Sequence, residues 1–293
     1  MNKIKKISAK IILRLFGRLL SDEQYLKVLF LATMGYPLSL TNPVTLNEKL
    51  QWLKLYDRNP KYTQLVDKIS VKHWVAEKIG EEYIIPTYKV WNKAEDIDMS
   101  DLPDAFVLKT NHGCSTNGVY VVKNKNNFNI QEAKGKLSRL LKENVYPHTK
   151  EWPYKNIESK VFAEKSLGEN IQDFKFFCFD GYAESVMVCY ERETGFPKFY
   201  FFDENWELKR YNVRGKNAPE GFTMPSPQNY KKMFEIASTL SKGFSFVRVD
   251  LYNVDGKIYF GEMTFYPSSG LDPNILPEVD KYMGSLIKLP NKK

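Results

Sequence analysis

The chain is poor in the residues that build disulfide frameworks and metal clusters. It has three cysteines in 293 residues, Cys114, Cys178 and Cys189, an odd number with no CxxC spacing. That usage argues against a disulfide scaffold and fits a reducing cytosol. The three histidines, His73, His112 and His148, are scattered, so a structural zinc site lacks a ligand set. No apolar run approaches the roughly 20 residues a membrane-spanning helix needs. Arg14 and Arg18 interrupt the N-terminal apolar stretch, which therefore reads as retained rather than as a cleaved signal. Internal repeats and low-complexity linkers are absent. With 43% hydrophobic and 27% charged residues the composition is that of a globular protein, not of a disordered or fibrous one. Its length suits one large or two small domains at roughly 150 residues each.

Net charge is +8, which invites a nucleic-acid or anionic-membrane partner. The charge is not spread evenly. Lys3, Lys5, Lys6, Lys10, Arg14 and Arg18 lie in residues 1–20, and Lys288, Lys292 and Lys293 in 286–293, with no acid in either segment. Removing those nine from the 43 Lys and Arg leaves 34 against 35 acidic residues. The body is nearly neutral, so nucleic acid is not an expected partner. In residues 1–20, Ile4, Ile7, Ile11, Leu15 and Leu19 form one helical stripe and Lys6, Lys10, Arg14 and Arg18 a second. This basic amphipathic helix either meets an anionic membrane surface or packs on protein.

Helical patterning covers 22–58, broken near Gly35-Tyr36-Pro37 and Asn42-Pro43, and again 65–79, ended by Gly80. A short strand is expected at 84–86, strands at 105–110 and 118–123, and a helix at 131–143. Strands follow at 160–167, 174–180, 183–190 and 198–203, then a helix at 228–241 and strands at 244–254 and 258–265. Helices mixed with antiparallel strands predict an α+β fold.

Three constellations carry chemistry. Lys109 ends an apolar strand and is followed by a small turn containing His112, Gly113, Ser115, Asn117 and Gly118. Backbone N–H groups in such a turn cradle phosphate oxygens, with the lysine as a point charge. It is neither a Walker A nor a dinucleotide motif. Next, alternation places Arg248 and Asp250 on one strand face and Glu262 and Thr264 on one face of the next strand. The hairpin register decides whether they meet. A three-residue loop, Asp255-Gly256-Lys257, sets Asp250 opposite Glu262; a two-residue loop sets it opposite Gly261. Two carboxylates and a hydroxyl on one face would suit Mg²⁺. The last is Glu164-Lys165-Ser-Leu167 followed by Asp173-Phe-Lys175, a strand end able to read adenine through its backbone. There Glu164 would accept from the adenine amine and Asp173 would bind the ribose hydroxyls.

In order, Asp67-Lys68…Lys72, Lys109 with its loop, Glu164–Leu167, Arg248-x-Asp250 and Glu262-x-Thr264 resemble the ATP-grasp superfamily. Segments 67–72, 164–167 and 248–250 are similar to stretches of D-alanine–D-alanine ligases, and 173–175 to a step in glutamate-adding ribosomal-protein ligases. Within the superfamily the chain is identified as a member of the TupA-like group, over about residues 20–275. The strings 42–54, 67–80, 106–113 and 246–252 carry that likeness. Many ATP-grasp enzymes have Asn as the third metal ligand; here it is Thr264, a weaker donor.

The resemblance implies two α+β lobes gripping ATP, preceded by a helical region. The implied organisation is 1–20 basic helix, 21–95 helical region, 96–163 phosphate-loop lobe and 164–293 metal-binding lobe. ATP and Mg²⁺ are the implied cofactors. Lys68 and Lys109 would hold α- and β-phosphate oxygens, Asp250, Glu262 and Thr264 would hold Mg²⁺, and Arg248 would stabilise the transferring phosphoryl group. Lys165, Leu167 and Lys175 would complete the nucleotide site. The implied reaction joins a carboxylate to an amine through an acyl phosphate. Its acid would be a sugar acid such as a uronate, and its amine an amino acid or simple amine, in bacterial surface-polysaccharide synthesis. The enzyme would be cytoplasmic, with residues 1–20 a candidate contact to the inner membrane face. Two alternatives stand beside it. Asp96-Ile-Asp98 would hold the metal of a glycosyltransferase, although it lies in an acidic, turn-rich stretch. A non-catalytic ATP-binding scaffold docked on a membrane synthase is the other. Arg192 and Arg210, near strand ends, are further candidates to receive a carboxylate.

Overall fold

The computed structural model describes residues 3–113, 117–169, 171–191 and 197–291. Five helices come first: α1 (Lys3–Phe16), α2 (Asp22–Met34), α3 (Leu46–Tyr56), α4 (Lys61–Val66) and α5 (Ser70–Ile79). Capping boxes start α2 at Ser21 with Gln24 and α3 at Thr45 with Glu48, each satisfying two otherwise orphan N–H groups. Helix α1 packs on α2 and buries Ala9, but leaves Ile7, Ile11 and Leu15 exposed.

The helix expected over 65–79 is two helices. The Asp67 carboxylate accepts from the N–H groups of Ile69 and Ser70, and the Lys68 N–H donates to the Asn111 carbonyl. These local bonds outcompete helical continuation. The strand expected at 84–86 instead begins after Pro86.

Strands β1 (Thr87–Trp91), β2 (Phe106–Thr110), β3 (Val119–Val122) and β4 (Val161–Lys165) form an antiparallel sheet in the order β1-β4-β2-β3. Helices α6 (Ile130–Leu140) and α7 (Tyr146–Thr149) lie between β3 and β4 in sequence. Ala133 and Leu137 of α6 join Phe106, Leu108 and Val161 in one small core. The boundaries expected at 95/96 and 163/164 fall inside this sheet. The first separates β1 from its partner, and the second cuts β4.

The second sheet holds six strands: β5 (Asp173–Phe179), β6 (Tyr182–Tyr190), β7 (Lys198–Phe202), β8 (Leu208–Lys209), β9 (Val247–Val254) and β10 (Lys257–Thr264), in the order β10-β9-β5-β6-β7-β8. Helices α8 (Val213–Lys216), α9 (Tyr230–Ser241) and α10 (Pro277–Leu286) complete the chain. Phe176 and Phe234 meet edge to face at 4.9 Å between centroids, where α9 covers the sheet. The larger core joins this sheet to helices α2–α5. The architecture is α+β, with a helical region leading into two sheets.

Candidate active site

The β9–β10 hairpin turns on Asp255 and Gly256, both at positive φ (50° and 80°), a two-residue type I′ geometry. With a regular ladder that register would face Asp250 with Gly261. It does not, because the register shifts between Phe260 and Glu262. Gly261 is the extra residue of a β-bulge, and beyond it Glu262 pairs with Asp250 and Thr264 with Arg248. A Cβ at Gly261 would lie 3.0 Å from the Asp250 carbonyl oxygen and 3.1 Å from the Tyr252 ring, so glycine suits the close approach.

On the other side of β9, β5 pairs Lys175 with Asp250. Lys175, Asp250 and Glu262 thus form a row across three strands. Arg248 donates from Nε to Asp250 Oδ1 at 2.7 Å and from Nη2 to Asp250 Oδ2 at 2.8 Å. The same Nη2 reaches Glu262 Oε1 at 3.1 Å and Thr264 Oγ1 at 3.2 Å. Lys175 Nζ lies 2.6 Å from carboxylate oxygens of both Asp250 and Asp173. Burial opposes ionisation of Glu262, but Lys68, Arg248 and Lys175 outweigh it and hold the carboxyl far below its usual range.

The break between α4 and α5 delivers Lys68 here. Its Nζ lies 3.2 Å from Glu262 Oε2 and donates to the Gly113 carbonyl at 2.8 Å. One lysine therefore ties the second sheet to the loop following β2. One turn later, Lys72 reaches the first sheet. Its Nζ donates to Glu164 at 2.8 Å, to Thr87 Oγ1 at 2.7 Å and to the Ile85 carbonyl at 2.8 Å. Lys109 Nζ takes the other Glu164 oxygen at 2.5 Å. Both ammonium groups sit 5.3 Å from the Phe162 ring centroid. Burial raises the cost of charge on Glu164, yet Lys109 and Lys72 prevail and lower its pKa. Burial also lowers the pKa of Lys72, with Glu164 opposing.

Between the sheets lies a cavity of about 670 Å³ lined by Lys109, Glu164, Lys165, Leu167, Asp173 and Tyr252, among others. Val119 and Val121 of β3 also line it and are left exposed, an apolar wall on an edge strand. The charged cluster at its end sums five cations (Lys68, Lys72, Lys109, Lys175, Arg248) against four carboxylates (Glu164, Asp173, Asp250, Glu262).

Several expectations change in the structure. Glu164 lines the cavity and is paired with two ammonium groups, those of Lys72 and Lys109, a partnership the sequence did not indicate. His112 is buried, with Nδ1 3.2 Å from Asn111 Oδ1 and Nε2 3.2 Å from the Leu140 carbonyl. Its ring nitrogens are occupied, and it is not offered to a phosphate. Gly118 is buried at φ +83°, and a Cβ there would strike Leu140, so its role is the turn itself. Asn117 is exposed beside it, and Ser115 lies outside the described residues. Arg210 is spent on four backbone carbonyls, those of Gly215, Lys216, Ala218 and Pro219. Arg192 lies outside the described residues. Asp98 accepts from the Ser100 N–H and hydroxyl, so the Asp96-x-Asp98 pair closes an exposed turn and lacks the convergence a nucleotide-sugar metal needs. Lys72 was not singled out for a role from sequence, and its i, i+4 spacing from Lys68 was the available signal.

Two sheets closing on a cavity, with Lys109 and Glu164 in its wall and Arg248, Asp250 and Glu262 linked to it through Lys175 and Asp173, match the class of ATP-grasp ligases, enzymes that form C–N bonds with ATP. A family model described as TupA-like ATPgrasp matches residues 48–288, and the chain belongs to that family. No curated protein matches the chain. Among solved structures, it is similar to the D-alanine–D-alanine ligase of Helicobacter pylori, at 13% identity and TM-score 0.48, over 83% of this chain and 69% of that one. The ATP complex of the Bacillus anthracis D-alanine–D-alanine ligase is similar at 16% identity and TM-score 0.44, over 76% and 63%. D-cycloserine synthetase DcsG is similar at 14% identity and TM-score 0.41, over 77% and 69%.

Proposed function

We propose that this chain is an ATP-dependent carboxylate–amine ligase acting on a sugar acid, such as a uronate, during surface-polysaccharide synthesis. The observation that carries the ligase reading is the convergence of Asp250 and Glu262 on one nitrogen of Arg248, joined through Lys175 to Asp173 in the wall of a cavity between two sheets. The substrate class follows the family alone.

The residues fit Mg²⁺. Asp250, Glu262 and Thr264 are hard oxygen donors gathered around a point now held by a guanidinium cation. Among the described residues no three His, Cys, Asp or Glu converge, so nucleotide phosphates would complete the coordination. Bound there, the ion would screen charge on the transferring phosphoryl group.

The nucleotide base would lie against Val119 and Val121, with the Glu164–Leu167 backbone at its edge. Asp173 would take the ribose. Lys68 and Lys109 would reach phosphate oxygens, and Lys72 holds Glu164 so that Lys109 stays extended. The site's net charge of one positive, with Mg²⁺, leaves ATP's four negative charges almost balanced, which phosphoryl transfer requires. The substrate carboxylate attacks the γ-phosphorus and the bond to the ADP oxygen breaks. The amine then attacks the acyl carbon, the C–O bond to phosphate breaks, and the amine's proton leaves with solvent or phosphate. Arg248 stabilises the developing charge in both steps. Excluding water protects the acyl phosphate.

Residues 1–20 are proposed to touch an anionic inner membrane face, where lipid-linked precursors are assembled. The exposure of Ile7, Ile11, Leu15 and Leu19 beside Lys10, Arg14 and Arg18 favours this over packing on the body. Among the described residues no helix is long and apolar enough to cross a membrane. Deleting 1–20 should abolish binding to anionic vesicles and leave ATP binding intact; unchanged vesicle binding would refute the contact. The ligase reading is tested by stabilisation with MgATP but not with UDP-sugars, and by ADP release that requires both an acid and an amine. UDP-sugar stabilisation alone would favour the glycosyltransferase.

A further inference from the structure

Helix α3 buries two polar side chains, Gln51 and Lys54, and neither keeps any exposed surface. Both aim their donors at one loop, residues 267–270, which follows the strand of Glu262 and Thr264. Gln51 Nε2 donates to the Ser269 carbonyl at 3.1 Å and to the Gly270 carbonyl at 2.6 Å. Lys54 Nζ donates to the same Ser269 carbonyl at 2.8 Å and to the Ser269 hydroxyl at 2.9 Å. Its third bond, to the Thr149 carbonyl at 2.8 Å, ties in the segment that leads to β4. Helix and loop lie so close that a Cβ at Gly270 would sit 2.8 Å from Leu50 Cβ.

The loop needs that support. Ser268, Ser269 and Gly270 are consecutive left-handed residues, at φ 50°, 56° and 60°. Glycine enters that region freely, but L-residues visit it singly, and two serines in succession are unfavourable. Such strain survives only where the surroundings over-determine it. Burying an ammonium group on three neutral oxygens is costly as well.

The strained loop stands at the reacting end of the site. It begins three residues after Thr264, and Pro267 and Ser268 line a narrow cleft together with Arg248. Ser268 also lines a second cavity, of about 740 Å³, with Phe199, Asn217 and Asp272. Ser268 is the immediate neighbour of Ser269, so the point at which Lys54 pins Ser269 sets where Ser268 stands against Arg248. Resting on the ligase reading, we infer that Lys54 is a positioning residue of the ligase site, which holds Ser269 left-handed so that Ser268 keeps its place beside Arg248. Lys54 lines no part of the nucleotide cavity. Its loss should therefore slow the chemical step and leave ATP binding alone.

The test is formation of ADP and hydroxamate from MgATP, hydroxylamine and a panel of uronic acids, at a temperature where circular dichroism shows the variants folded. Lys54→Met should lower kcat about ten- to a hundredfold, the scale of a small misplacement near reacting atoms, with the KM for ATP within about twofold of wild type. Lys54→Met with Ser269→Gly should regain most of that loss, because glycine is left-handed unaided. Lys54→Met with Ser269→Ala should regain none. Ser269→Val, with Lys54 in place, should lose kcat as Lys54→Met does, since a β-branched residue resists positive φ. That single variant decides the matter where Lys54→Met does not fold. Equal activity of the glycine and alanine double variants, full kcat in Ser269→Val, or a KM for ATP that rises while kcat holds would each overturn the assignment. No ADP release by wild type with any acid would instead overturn the ligase reading, and this role with it.

Discussion

Asp250 and Glu262 face one another across β9 and β10 because a two-residue turn is followed by a bulge at Gly261. The turn alone would set the two carboxylates on opposite faces of the sheet. The bulge adds one residue and returns Glu262 and Thr264 to the face of Arg248 and Asp250.

Glu262→Ala should remove one of the two facing carboxylates while the turn and the bulge stay intact. ATP turnover should fall to background. Circular dichroism should retain the sheet signal and MgATP should no longer raise Tm. Retained MgATP stabilisation would show that Glu262 has no part in the site.

Arg248→Met should lower kcat by about a hundredfold or more, the scale seen when one preorganised charge donor is lost from a transition state. It should also leave Asp250 and Glu262 facing each other without a guanidinium between them. Mg²⁺ alone should then raise Tm more in the variant than in wild type. The opposite order would mean that the two carboxylates do not share an ion.

Glu164→Gln removes the counterion of Lys72 and Lys109, both largely buried. Breaking such a network should cost roughly 3 kcal/mol at neutral pH. The folded-state pKa of Glu164 lies below its unfolded value. The stabilisation is therefore complete above the unfolded carboxyl range and is lost as pH falls through the folded value. Denaturant unfolding of both proteins should show their stabilities converging in acid. The KM for ATP should rise in the variant, because Lys109 loses its anchor.

Lys54 is wholly buried in α3 and donates to the Thr149 carbonyl, the Ser269 carbonyl and the Ser269 hydroxyl at 2.8–2.9 Å. It fixes Ser269, which sits at φ 56° in the loop beside the second cavity. Lys54→Met should cost roughly 2–4 kcal/mol through the stranded acceptors. Burial pushes the Lys54 pKa down to about 8 from 10.5. Between those values the unfolded chain binds the proton that the fold releases, so wild-type stability should rise with pH relative to the variant. A gap independent of pH from 8 to 10.5 would contradict the assignment.

Most strands of both sheets were legible, because alternation and glycine turns punctuate them clearly, but β1 was expected before Pro86 and the two-residue β8 was not expected. Period two also put Arg248 with Asp250, and Glu262 with Thr264, on shared strand faces, but left open whether the two pairs meet. What stayed hidden depends on particular tertiary bonds. The bulge at Gly261 leaves no mark in alternation until the partner strand is known. His112 sits in a loop of phosphate-binding composition, yet the Leu140 carbonyl, 28 residues on, claims its ring. Arg210 and Arg214 look equivalent in sequence; four carbonyls occupy the first and none of the described residues engages the second. The break at Asp67–Ile69 interrupts good helical patterning because Asn111 and the Asp67 side chain offer the backbone other partners.

The most direct measurement is an acid-dependent ADP-release assay with hydroxylamine as trap. MgATP, the protein and a panel of uronic acids are incubated with hydroxylamine, and ADP and hydroxamate are quantified together. The ligase reading predicts equal amounts of ADP and hydroxamate with one or more sugar acids, and neither product with Glu262 replaced by Ala or Arg248 replaced by Met. ADP release that needs no acid, or ADP without hydroxamate across the panel, would contradict it.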